Sequence, residues 1–172
     1  MADPNVFDAL RIPSDVLIAL DNRTFHFALQ PWHYVVRLTH VLSMGLFFGG
    51  IALFDFRLLG IKTKGQLNLF TEEIRPWLYA TFAVTFVTGV MLFLYDPVHV
   101  GSHAYFAPKL ILMFLGLANA VVFHRTPYAP MLDVQQRLPI AKFAGAISLI
   151  LWFGVVVFAS LNVEAAPKVL LR

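Results

Sequence analysis

Trp32–Leu59 reads WHYVVRLTHVLSMGLFFGGIALFDFRLL. Between Arg37 and Asp55 the single side chain that titrates near neutrality is His40; everything else is apolar, small or weakly polar. As a helix rising 1.5 Å per residue, the run covers roughly 40 Å, more than the ~30 Å hydrocarbon core of a bilayer. Three further apolar runs follow, at Pro76–Tyr95, Tyr105–Phe123 and Leu138–Val163. Four crossings in 172 residues leave no length for a separate soluble domain. The expectation is an all-α integral membrane protein: a four-helix up-down bundle over 31–163, an N-terminal interfacial tail over 1–30 and a C-terminal tail over 164–172.

Composition agrees. The chain is 59% hydrophobic and only 13% charged, with mean hydropathy +0.72. A soluble domain carries about 25% charged residues. The net charge of +3 does not argue for nucleic acid, because the basic residues flank the apolar runs as membrane topology requires. Cysteine is absent, which removes disulfides, thiolate metal sites and cysteine nucleophiles. In the tail, Ser14 is placed to cap a short helix with Val16, Leu17 and Leu20 on one side; with Phe7 and Leu10 these residues read as a segment lying on the bilayer surface.

The loops give an orientation. Arg57, Lys62, Lys64 and Arg75 surround the first connection, and Arg125, Arg137 and Lys142 the third. The second holds Asp96, His99 and His103, with Lys109 just inside the next helix, placed to snorkel to the interface. Basic loops stay in the cytoplasm, so both termini are expected on the periplasmic side of a bacterial inner membrane. The tail's Asp3, Asp8, Asp15 and Asp21 against Arg11 and Arg23 agree; Lys168 and Arg172 run mildly the other way.

The first helix carries most of the chemistry. His33, Arg37, His40, Met44, Phe47, Ile51 and Asp55 recur at steps of three and four and form one stripe. Ionisable groups in a membrane helix face the bundle interior or a wet cavity. His40 lies about 10 Å deeper than His33 and is the better ligand candidate. Gly45, Gly49 and Gly50 permit close approach of a helix, a second copy of the chain or a flat cofactor. Asp55 is expected to pair with His124 or Arg125 at the end of the third helix. Thr81, Thr85, Thr88 and Gly89 form a helix-packing face on the second.

His40 … Gly49-Gly50 … Asp55-Phe56-Arg57-Leu58-Leu59-Gly60, continuing through Thr88-Gly89, Phe93, Pro97, Phe106, Lys109, Asn119 and His124, resembles an uncharacterised bacterial family of small four-helix integral membrane proteins. The resemblance runs from the first long helix through the third. It implies the four-helix fold and brings no reaction or ligand set. His33, His99 and His103 fall outside the pattern. More distantly, His40 with its later glycine pair looks like helices of copper-resistance membrane proteins.

Three functions fit these residues. The first is a membrane-embedded, b-type-cytochrome-like redox protein with a site near the outer face, built from His40, His33, Met44 and Gly49 and holding haem b, with a quinone or other redox partner. The second and fourth helices offer no histidine, so the other axial ligand falls to His99 or His103, to a non-histidine group, or to a second copy in a homodimer. The second is a copper- or zinc-handling protein using His33, His40, His99 and His103. The third is an accessory subunit of a membrane complex, contacting the lipid bilayer and its partners without chemistry of its own.

Overall fold

The computed structural model describes residues 6–61, 67–125 and 139–164. Among them all regular structure is helical: α1 Ser14–Leu20, α2 Arg23–Leu29, α3 His33–Leu59, α4 Leu67–Tyr95, α5 Pro97–Gly101, α6 Phe106–Arg125 and α7 Pro139–Glu164, with 3₁₀ turns at Val6–Leu10 and Gln30–Trp32. Four segments are long and apolar enough to cross a membrane: Arg23–Leu59, Glu73–Tyr95, Phe106–Phe123 and Ala141–Asn162. The chain is an all-α four-helix bundle with the form of a multi-pass membrane protein. Asp3, Lys62, Lys64, Arg137, Lys168 and Arg172 lie outside the described residues.

The outward faces are apolar. Phe114, Ile150 and Phe153 are each 71% exposed and Leu46 67%, a girdle suited to lipid and not to water. Inside, α3 packs between α4 and α7, and α6 packs on α7. Short connections predict that each helix also packs on the next, but α4 and α6, joined through α5, barely touch. The bundle is therefore open along that side.

Two core layers hold it. Phe47, Trp152 and Val155 pack with Phe82, Leu112 and Met113. Two to three turns further along α3, Phe54, Leu58, Phe123 and Ala141 pack with Ile74 and Ala144. In lipid the gain comes from close packing, not from escape from water. Gly145 supplies it between α7 and α3: a Cβ there would lie 3.0 Å from Leu58 Cβ and 3.2 Å from the Asp55 carbonyl oxygen. Helix α3 ends on Gly60 at φ 94°, with the Ile61 N–H donating to the Phe56 carbonyl at 3.0 Å, the Schellman ending that glycine favours.

The N-terminal segment packs on one end of the bundle. Leu17 of α1 is 1% exposed and sits against Gly101 of α5 and Phe93 of α4. Arg11 Nη1 donates to the Ser102 carbonyl at 3.0 Å. The segment thus closes the His40 end of the bundle. Ser14 does not cap α1; it is the first helical residue, and Pro13 occupies the cap without a side-chain bond. Asn22 does cap α2, its side chain accepting from the N–H groups of Thr24 and Phe25. Helix α4 starts at Leu67, well before the Pro76 that opens the apolar run.

Candidate functional site

A cavity of about 520 Å³ occupies the His40 end of the bundle and fills the gap between α4 and α6. All four long helices line it, and Ile12, Val16 and Leu20 cover it. Its size lies within the ~300–1,000 Å³ usual for cofactor and ligand pockets. The wall is apolar apart from His40, Thr85 and Lys109 and the thioethers of Met44 and Met113.

His40 is fixed through one ring nitrogen. Its Nδ1 lies 3.0 Å from the Thr85 carbonyl and 3.0 Å from Thr88 Oγ1. The carbonyl can only accept. The Thr88 hydroxyl donates its own hydrogen to the Val84 carbonyl at 2.6 Å. Nδ1 therefore carries a proton and donates, so that in the neutral ring the lone pair is the one on Nε2. Gly89 makes the fit possible, because a Cβ at that position would meet His40 Cε1 at 3.0 Å. The small face of the second helix thus serves His40 as well as helix packing.

Lys109 faces His40. Trp152 joins α3 and α6 at one depth, packing on Phe47 with ring centroids 4.9 Å apart and lying within 3.0 Å of where a Gly116 Cβ would sit. His40 and Lys109 each precede those contacts by seven residues, two turns and about 10 Å, so they stand level. The Lys109 Nζ lies 4.8 Å from the Phe106 ring centroid, and no carboxylate lines the cavity among the described residues. Lys109 thus lines the cavity, with its ammonium over a ring one turn nearer the start of α6.

No family model, curated protein or solved structure matches the chain.

The other candidates are placed as follows. Met44 lines the cavity one turn from His40. Gly49 does not: it is exposed, with nothing within 4 Å of where its Cβ would be. Nine residues at roughly 100° each put it half a turn away from His40. His33 is stacked on Tyr95 at 4.4 Å, and His26, which the sequence did not single out, stacks on Tyr95 at 4.2 Å while its Nδ1 meets the Tyr95 carbonyl at 2.8 Å. His99 and His103 meet edge to face at 5.3 Å. Burial, then the neighbouring His99 and Arg11, hold His103 below the ordinary histidine value. Among the described residues no three histidine or acidic side chains converge on one point, so His33, His40, His99 and His103 are not gathered.

Asp55 is 2% exposed. Of its two expected partners, Arg125 is exposed and the side chain of His124 lies outside the described set. Asp55 takes a hydrogen bond from the Ser148 side chain of α7, a helix that Gly145 brings against this turn of α3. Its Oδ2 has no hydrogen-bond partner. Asp55, Ser148 and Asn119 line a second cavity of about 120 Å³, which shares Phe47, Phe82 and Trp152 with the first.

Proposed function

We propose that this chain is a membrane-embedded redox protein of b-type-cytochrome character, with haem b in the larger cavity and His40 Nε2 as an axial ligand. The observation that supports it is the fixed His40 ring. A backbone carbonyl orients Nδ1–H and leaves Nε2 free at a cofactor-sized cavity, the arrangement that ligating histidines use. Lys109 and Met113 of α6 line the same cavity and would contact a haem bound there. Met44 shares a helix face with His40 and cannot oppose it. When bound, the haem supplies one-electron chemistry. The chain's own part is to hold the ring, exclude water with apolar walls and cover the site with α1.

In this reading the basic first and third connections remain in the cytoplasm of a bacterium, and the His40 end faces the periplasm of its inner membrane. Gly45 and Gly49, with open space before them, suit a homodimer contact. A copper or zinc site of histidines draws less support, because no three histidine or acidic side chains converge among the described residues. One observation favours a second reading. A lysine ammonium facing an apolar cavity without a carboxylate suits a membrane-dissolved amphiphile bearing a carbonyl or anionic head, such as a quinone.

The test is a reduced-minus-oxidised absorption spectrum of protein purified from haem-replete cells, with organic extraction of the same sample. Haem bands at one equivalent per chain support the first reading. A colourless protein that yields one equivalent of extracted amphiphile replaces it with the second.

A further inference from the structure

We propose that Asp55 is a proton-binding site, served by water in the smaller cavity. Three features of the geometry lead there. The carboxyl group is buried in a membrane-crossing helix, with one oxygen engaged by Ser148 and the other without a partner. A buried polar atom lacking a partner is costly, and ionisable groups within membrane-crossing helices mark ion or proton pathways. The cavity beside it, about 120 Å³, exceeds the ~10–15 Å³ that one water needs.

The surroundings decide what is bound. From α4, Arg75 and Tyr79 line the same cavity; both are exposed and stand at its mouth. From α6 the polar lining residue is Asn119, whose amide donates to the Ala144 carbonyl at 3.1 Å. From α7 it is Ser148. On α3 itself, Arg57 is two residues away and has its own interactions. No second carboxylate lines the cavity among the described residues. A metal cation wants several oxygen ligands, whereas one free carboxylate oxygen with water access needs only a proton. The step is balanced: hydronium transfers a proton to Oδ2, an O–H bond forms, and water remains in the cavity. Phe47, Phe82 and Trp152 separate this site from the His40 cavity, and Asp55 lies about 22 Å along α3 from His40. The proposal therefore stands whether or not haem is bound.

Infrared difference spectroscopy of the full chain in nanodiscs, titrated in potassium buffers without added cofactor, tests it. The expected result is a protonated-carboxyl C=O band that disappears reversibly as pH rises, shifts promptly in D₂O, and is missing in Asp55→Asn. Ser148→Ala keeps the band and raises its frequency, because the carboxyl loses a donor; this variant serves if Asp55→Asn fails to fold. A spectrum without any titrating buried-carboxyl band overturns the proposal. So does a band unmoved by both substitutions, a band that does not exchange in D₂O, or a midpoint displaced by millimolar sodium, which marks a metal-cation site.

Discussion

His40 shows how little of a membrane site is set by the titrating residue itself. Its ring is positioned by a carbonyl and a hydroxyl on α4 and by the missing side chain of Gly89. Replacing Gly89 by leucine drives side-chain atoms into a space where even a Cβ sits 3.0 Å from the ring. The expected outcome is displacement of His40 and at least a tenfold loss of bound ligand, read by ligand titration, with helix content unchanged by circular dichroism. His103 provides a pH test. Its folded value lies below the unfolded one, so its contribution to stability is present above the ordinary histidine value and is lost as pH falls from there through the lowered folded value. Denaturation of the wild type between pH 7 and 5 is expected to show that loss, and His103→Gln to flatten it. At this scale the sequence made His40, Met44 and Asp55 legible, because charge or polarity within an apolar run has no other place to go. It hid Lys109, whose position near a helix end suits snorkelling equally well. The sign available was the spacing Lys109–Met113–Gly116, which puts the lysine on the same face as the packed glycine.

The elements differ in how tightly they are specified. Helix α7 approaches α3 through Gly145 against rigid backbone and Cβ atoms, whereas Gly49 on α3 has open space before it. Gly145→Val is expected to cost about 1–3 kcal/mol through overpacking. Gly49→Leu is expected to leave the fold of one chain intact and to weaken a dimer. Thermal unfolding in detergent, with mass measurement in nanodiscs, separates the two effects. Helix lengths could be read from the apolar runs, because hydrocarbon thickness sets them. The role of α1 could not. Val16, Leu17 and Leu20 mark an amphipathic turn in either case, and only the pocket formed by α5, Phe93 and Gly101 directs it onto the bundle.

For the whole molecule, the four-helix architecture follows from length and hydropathy, but the opening between α4 and α6 does not. It depends on which neighbours pack, and loop length alone favoured all successive pairs. The orientation rests on the basic connections. Single cysteines at positions 64 and 99, in a chain with none of its own, are expected to react with an impermeant reagent on intact cells at 99 and not at 64. The reverse pattern inverts the topology. The central claim is that the larger cavity carries a haem held by His40 Nε2. It is tested most directly by absorption spectra of His40→Gly with and without imidazole, beside the wild type. The account predicts a Soret band and a reduced-state band in the wild type, their loss in the variant, and their return when imidazole is supplied. A wild type without haem bands, or a variant whose spectrum matches the wild type without imidazole, contradicts it.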